Sequence, residues 1–265
     1  MRAIEDALER TIDVPERPQR IVSLVPSVTE LLFDLGAGEQ LCGISNYCTE
    51  PRGVLDGLPR IGGQKNPEID AILRLQPDLV LAVKEENLAR DVAALEAHRI
   101  PVYVADVRTI EDALALIGEI GDLVDAPPGR QAELRSHVAE GVAEARRIAA
   151  VPPRRLFVPV WRDPWITISA DTYMHEVLHV CGGVPLRLGR PEQRYPKVDL
   201  DEVLAARPDL ILLPDEPYAF GPSDVAELSN IAPTTIVDGK LLGWYGRRTG
   251  EIAPLSHLLR KHALR

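Results

Sequence analysis

Short apolar runs alternate with longer segments in which apolar residues recur at helical spacing. The apolar runs are typical of strands buried on both faces, and the longer segments predict helices that present one apolar face. The strand-like runs are residues 20–24, 77–83 and 100–104, and the helical segments are residues 29–35, 69–75, 87–99 and 111–124. Regular alternation of this kind predicts an α/β fold with a mainly parallel sheet and helices on both faces.

The first helix has recognisable start and stop signals. Ser27 is predicted to cap its N-terminus, because Glu30 stands three residues later as in a capping box. Gly36 is predicted to end it, because glycine readily adopts the left-handed conformation that follows many helices.

A long helix is predicted over residues 130–150. Its sequence is rich in Ala, Glu, Arg and Gln, and only Gly141 weakens it. Breaks at Pro127-Pro128-Gly129 and Pro152-Pro153 bound it. At about 1.5 Å per residue it would span roughly 30 Å, which is longer than a typical crossover helix.

The β-α pattern restarts after this helix with a recognisable repeat. Residues 70–81 match residues 201–212 without a gap: an acidic helix start, an apolar stripe, Pro-Asp and a buried strand. We therefore predict two Rossmann-like lobes joined by a single long backbone helix. The predicted boundaries are residues 1–127, 128–151 and 152–265, and a ligand is expected in the cleft between the lobes.

Composition narrows the function classes. The 265 residues are 45% hydrophobic and carry a formal net charge of −10, so nucleic acid is an unfavourable partner. No run is long enough to span a membrane, and the N-terminal residues lack the apolar stretch of a signal peptide. Cys42, Cys48 and Cys181 are an odd number without a CxxC pair, which favours free thiols over disulfides or structural zinc.

One segment matches a catalytic motif. His175-Glu176-Val177-Leu178-His179 is an HExxH sequence, which on a helix can bind zinc and activate water. The third histidine of the longer zinc-protease pattern is replaced by Pro185, and Gly182-Gly183 ends the helix within a turn. Two ordinary histidines are the favoured interpretation, so we expect no enzyme, no metal site and no cofactor, with a zinc hydrolase as the alternative.

Three segments resemble the cobalamin-binding and iron-siderophore-binding proteins of ABC importers, the helical-backbone metal-receptor group. They are residues 20–31, residues 61–67 with the strand that follows Pro77, and residues 177–183 with their final Gly-Gly. The resemblance runs from about Thr11 to the C-terminus. It implies a monomeric solute-binding protein, periplasmic or at the cell surface, with an ABC importer permease as partner.

The resemblance also implies residue roles. Asp70 and Asp201 match the acidic residues, one on each lobe, that contact the permease; alternatively, they are ordinary acids at helix N-termini. The ligand-binding positions that the resemblance and the residue types indicate are Tyr47, Gln64, Arg162, Trp165, Tyr195, Trp244, Tyr245 and Arg247. All three Trp residues are expected in loops rather than in strands.

The chain departs from the cobalamin-binding pattern at several positions. Gln64 and Val83 stand where that pattern has Trp, and no C-terminal Cys is present to pair with Cys181. The leading hypothesis is capture of cobalamin or a related metal chelate for an ABC importer. A ferric siderophore or haem is the alternative ligand, because Arg162, Arg247 and Arg248 would suit its carboxylates. A cytoplasmic corrinoid-handling or sensing protein is the alternative of another class.

Overall fold

The computed structural model describes residues 1–190 and 192–263, and its chain forms two compact units. Unit 1 consists of residues 1–107, 111–136 and 245–247. Unit 2 consists of residues 108–110, residues 137–244 and the described chain from Arg248 onward. Leu264 and Arg265, which end the predicted C-terminal lobe, lie outside the described residues.

Unit 1 is built on a four-stranded sheet in which every pair of neighbouring strands is parallel. Its strands and those of two small hairpins are β1 (Arg2–Glu5), β2 (Thr11–Val14), β3 (Ile21–Ser23), β4 (Leu41–Ile44), β5 (Gly62–Gly63), β6 (Asn66–Pro67), β7 (Leu79–Val83) and β8 (Val102–Ala105). Its helices are α1 (Pro26–Asp34), α2 (Ile69–Leu75), α3 (Ala89–Ala97) and α4 (Ile110–Leu123), followed by α5 (Pro128–Ile148), which continues into unit 2. The sheet order is β4-β3-β7-β8.

Unit 2 repeats this plan. Its strands are β9 (Arg154–Phe157), β10 (Pro159–Trp161), β11 (Ile166–Thr167), β12 (Gly183–Pro185), β13 (Leu210–Pro214) and β14 (Thr234–Val237). Its helices are α6 (Tyr173–Val180), α7 (Leu200–Ala206), α8 (Pro222–Leu228), α9 (Lys240–Gly243) and α10 (Ala253–Ala263). The parallel sheet has the order β12-β9-β13-β14, so the first strand again lies inside, between the second and the third. The predicted α/β class with parallel sheets is confirmed.

The same hydrogen bonds start both sheets. In unit 1 the Asp78 carboxylate accepts the Arg20 N–H at 3.0 Å, and the Arg20 guanidinium donates to the C-terminal carbonyl of α2. In unit 2 the Asp209 carboxylate accepts the Arg155 N–H at 2.8 Å, and the Arg155 guanidinium donates to the C-terminal carbonyl of α7. The repeat detected in the sequence therefore extends to individual side-chain contacts.

The predicted start of the first helix is wrong, whereas its predicted end is confirmed. Helix α1 begins at Pro26, with Val25 in extended conformation as the N-cap and no side-chain cap. Proline suits the first helical position because its fixed φ matches the helix and it lacks an N–H to satisfy. Ser27 is therefore already inside the helix and buried. At the other end, Gly36 has a φ of +79°, as expected after a C-cap.

Helix α5 has 21 residues and begins two residues before the predicted start. Leu134, Val138, Val142 and Ala145 form its buried stripe. Gly141 allows a close approach, because a Cβ at that position would lie 1.8 Å from the carbonyl oxygen of Gly250. In the part of the chain that the structure describes, no helix is both long enough and apolar enough to cross a membrane.

The close approach at Gly141 gives a stability prediction. Gly141→Ala should lower the free energy of unfolding by about 3 kcal/mol or more, because the backbone of Gly250 cannot move as a flexible side chain could. The matched change Gly129→Ala lies in the same helix with nothing within 4 Å of the new Cβ. It should be neutral or stabilise by about 0.5 kcal/mol. Urea denaturation of both variants tests this, and equal stability of the two would contradict it.

Candidate functional site

The loops that follow the carboxyl ends of the parallel strands are the places to search for a ligand. In open α/β sheets, all carboxyl ends of parallel strands lie at one edge, and ligands bind in the crevices outside that edge. In unit 1 these loops follow β4 and β7. In unit 2 they follow β9, β13 and β14.

In unit 1 the loop after β4 holds Tyr47 with its ring open to solvent. Tyr47 is 61% exposed, although large aromatic side chains are usually well covered. Arg60 fixes the loop by donating to the carbonyl oxygens of Ser45 at 3.0 Å and Cys48 at 2.7 Å. Gly63 leaves room beside the ring, since a Cβ there would lie 3.1 Å from the Tyr47 Cε2. The result is an exposed aromatic ring on a fixed loop.

Gln64 lies close by in the chain and is held by the loop after β7. The buried Asn87 side chain accepts the Val83 N–H at 2.8 Å and donates to the Gln64 carbonyl at 3.0 Å. The Gln64 amide nitrogen donates to Glu86. Gln64 therefore lies near the carboxyl end of β7, and its half-buried side chain is hydrogen-bonded to Glu86.

In unit 2 four aromatic side chains form one cluster, which we call the aromatic platform: Trp161, Trp165, Tyr218 and Phe220. Trp161 meets Tyr218 edge to face at 5.4 Å between ring centroids, and Tyr218 meets Phe220 at 4.6 Å. Trp165 is stacked on Phe220 at 6.0 Å with an interplanar angle of 3°. Phe220 is buried, and Trp165 and Tyr218 are half-buried against the core of unit 2, so Trp161, which is 45% exposed, is the ring of the platform most open to a ligand.

Sequence reasoning missed Trp161, Tyr218 and Phe220 as members of this cluster. Trp161 ends strand β10, which corrects the expectation that every Trp lies in a loop. Tyr218 and Phe220 follow β13 directly, at positions equivalent in the repeat to the loop after β7. The sequence repeat could have indicated these residues, because it places residues 215–220 after the carboxyl end of β13, at the edge of the sheet where a ligand is expected.

Arg162 is bound to carboxylates rather than free. Its guanidinium lies 5.2 Å from the centre of the Trp165 ring. The same group forms ion pairs with Asp224 and, at 2.8 Å, with Glu227. The hydrogen bond to Asp224 raises the pKa of Arg162, and Glu227 raises it further. Partial burial acts in the opposite direction.

Trp244 and Tyr245 are both covered. Trp244 is 6% exposed and its indole N–H donates to Glu216, while Lys240 lies 5.3 Å from the ring centre. Burial raises the pKa of Glu216, although the bond from Trp244 and the charge of Lys240 oppose the shift. Tyr245 is 3% exposed. The structure therefore places both rings in packed surroundings.

The remaining predicted ligand contacts are Tyr195 and Arg247. Tyr195 is half-buried in the loop before α7, next to Arg194, which donates to the Asp171 carbonyl at 2.7 Å. Arg247 belongs to unit 1 and pairs with Asp34 at 3.2 Å.

Asp70 and Asp201 occupy equivalent positions in the two units. Each lies exposed in the first turn of its helix, α2 or α7. Both helices end in a left-handed residue, Gln76 or Arg207, whose N–H returns to the carbonyl three residues earlier. The two carboxylates are therefore presented in the same local geometry.

The HExxH histidines lie on α6, which Thr172 caps by accepting the His175 N–H. Their rings are stacked at 6.4 Å between centroids, with His175 half-buried and His179 exposed. Burial lowers the pKa of His175, and His179 and Arg187 lower it further. Within residues 1–190 and 192–263, no group of three or more His, Cys, Asp or Glu side chains is placed to hold a metal ion.

Comparisons with known proteins agree with this architecture. The family model described as periplasmic binding protein matches residues 21–236. A vitamin B12-binding protein of Vibrio parahaemolyticus is 26% identical over 196 residues, which are 74% of this chain and 70% of that protein. The crystal structure of the periplasmic vitamin B12 binding protein of Vibrio cholerae has a TM-score of 0.79 at 25% identity, covering 95% of this chain and 100% of that one.

A haem-binding structure shares the fold. The apo form of a periplasmic heme-binding protein from Roseiflexus sp. RS-1 has a TM-score of 0.75 at 23% identity, covering 92% of this chain and 99% of that one. Similarity at this level of identity shows the fold alone.

The lowered pKa of His175 predicts how stability depends on pH. The folded chain takes up this proton at a lower pH than the unfolded chain, whose histidine titrates near 6.5. The stabilising contribution is therefore complete above that value and is lost as the pH falls below it towards the folded pKa. The free energy of unfolding, measured by urea denaturation, should fall between about pH 7 and pH 5. His175→Asn should reduce the slope of this fall by an amount equivalent to the uptake of up to about one proton on unfolding.

The control for this prediction is His98→Asn, which removes an exposed histidine at the end of α3. Its slope is the reference with which the His175→Asn slope is compared. An unchanged slope in His175→Asn would show that the half-buried imidazole makes no contribution to acid sensitivity.

Proposed function

The chain belongs to the periplasmic binding protein family, and on that premise we propose that it captures cobalamin or a related metal chelate and presents it to an ABC importer. The match over residues 21–236 confirms the family resemblance read from the sequence. In this proposal the chain binds its ligand reversibly and catalyses no reaction on it.

The exposed aromatic surface at the carboxyl ends of the strands is the observation that carries the proposal. Tyr47, in the loop after β4 of unit 1, and Trp161, at the end of β10 in unit 2, are large, solvent-exposed rings beyond the strand ends where α/β sheets bind ligands. Flat apolar faces of a corrin-type macrocycle would pack well on such rings. The similarity to vitamin B12-binding proteins of two Vibrio species supports the same ligand class.

Delivery to a permease would explain why each unit exposes a carboxylate at the same position of the repeat. Asp70 and Asp201 are exposed and equivalent in the repeat, so each can form a charge-assisted contact with an arginine of a membrane partner. The family name supports a location outside the cytoplasmic membrane, where such a complex would form.

The first prediction concerns ligand affinity. Titration with cyanocobalamin should quench tryptophan fluorescence, and Tyr47→Ala or Trp161→Ala should weaken binding about tenfold because each change removes an aromatic contact. Phe33→Leu is the control, since this half-buried ring packs against Gly38 away from the strand ends. Absence of any saturable response to cyanocobalamin, haem and ferric siderophores would refute chelate capture.

The second prediction concerns docking. Asp70→Arg combined with Asp201→Arg should abolish uptake in cells that depend on this chain, because both contacts become repulsive, while cyanocobalamin affinity stays within twofold. Glu111→Arg combined with Glu140→Arg makes the same charge change at exposed helix positions, one in each unit. That control should transport normally, and normal uptake by the Asp70 and Asp201 variant would rule out the docking role.

A further inference from the structure

The charge around the aromatic platform restricts the kind of ligand that it accepts. Arg162 is the cation nearest to the platform by the contacts described, since its guanidinium lies over Trp165. A cation in this position would ordinarily recruit a carboxylate of an anionic ligand. Whether it does so depends on what already occupies its hydrogen-bonding groups.

Three carboxylates surround the Arg162 guanidinium. Asp224 accepts a hydrogen bond from it, Glu227 lies at 2.8 Å and Asp163 at 3.8 Å. One positive charge therefore faces three negative charges. Among the contacts of Arg162, carboxylates therefore outnumber the guanidinium that they surround.

Asp224 is fixed in place. Its other oxygen accepts the Gly221 N–H at 2.8 Å, which caps helix α8, and the side chain is buried. Burial acts to raise the pKa of Asp224, but the bonds from Gly221 and Arg162 outweigh it and keep the pKa below its usual value. Because Asp224 is held by both the helix and the guanidinium, it cannot turn away to let a ligand carboxylate replace it.

The other arginines that the sequence indicated as anion partners are also ion-paired. Arg247 contacts Asp34 at 3.2 Å, and Arg248 contacts Glu251 at 3.1 Å. In each case a ligand carboxylate would have to compete with one that the chain already supplies.

Resting on the proposed function, we infer that the aromatic platform selects uncharged or cationic chelates and rejects chelates that carry carboxylates. The rings supply an apolar surface whose negative faces favour a cation over an anion. The Asp163, Asp224 and Glu227 carboxylates supply the discrimination, by occupying Arg162 and repelling a further anion. Specificity of this kind arises from an unfavourable interaction with the wrong ligand.

The test compares ligands that share a ring system and differ only in carboxylates. The first pair is cyanocobalamin and its monocarboxylic acids, in which one side-chain amide is hydrolysed. The second pair is haem dimethyl ester and haem. In each pair the carboxylate form should bind at least tenfold more weakly to the wild-type chain, as measured by isothermal titration calorimetry.

A single substitution should relax this selectivity. Glu227 is exposed on its outer side, so Glu227→Gln removes one repelling charge without disturbing the Asp224 cap. The ratio of affinities between the uncharged form and the carboxylate form in each ligand pair should then shrink by about threefold to tenfold. Glu144→Gln is the control, because it makes the same charge change in an exposed ion pair with Arg147 on α5 and should leave both ligand pairs unchanged.

The outcomes separate the two proposals. Carboxylate forms that bind as tightly as their uncharged counterparts would overturn the charge selectivity and leave chelate capture intact. If cyanocobalamin fails to bind, the haem pair still tests the inference, and preference for haem over its diester would overturn it. Failure of all four ligands to bind would overturn the inference, and failure of ferric siderophores as well would overturn the proposed function.

Discussion

Both sheets depend on an aspartate that fixes the register of their two inner strands. The Asp78 carboxylate accepts the Arg20 N–H, and Ile21 then pairs with Leu79. In unit 2 Asp209 accepts the Arg155 N–H, and the next residues of the two strands, Leu156 and Leu210, pair in the same way. Because the inner strands start together and run parallel, their carboxyl ends arrive at one edge with the loops that follow. The loops that carry Tyr47, Tyr218 and Phe220 therefore begin at this edge of the sheets.

The common edge at which these loops begin also lets a chain with few aromatic residues present aromatic side chains close together. Only 5% of residues are Phe, Trp or Tyr, so the sheets are packed almost entirely with aliphatic side chains. The segments after β9 and β13 bring four of these rare rings together, and carboxylates surround the Arg162 guanidinium beside them. On the proposed function, an aromatic surface that repels anions would suit an uncharged or cationic macrocycle. Contacts within unit 2 would then help to determine the ligand class.

The sequence predicted most of the fold and less of the site. Apolar periodicity and the repeat identified α2, α7 and their strands, because these features depend on local spacing. The predicted start of α1 was wrong because Ser27 and Glu30 match a capping-box pattern. In the structure, Pro26 already occupies the first helical position. Tyr218 and Phe220 were missed because clustering with Trp161 and Trp165 depends on loop conformation. The ion pairs of Arg162 join residues 62 and 65 positions apart, which no local pattern reveals.

The most direct measurement of the central claim is amide hydrogen exchange with and without saturating cyanocobalamin. The account predicts slower exchange in residues 45–48 and 62–67 of unit 1 and in residues 158–166 and 215–221 of unit 2. The start of α5, where Gly129 is exposed, should remain unchanged. Protection confined to segments away from the carboxyl ends of the strands, or no protection at all, would contradict it.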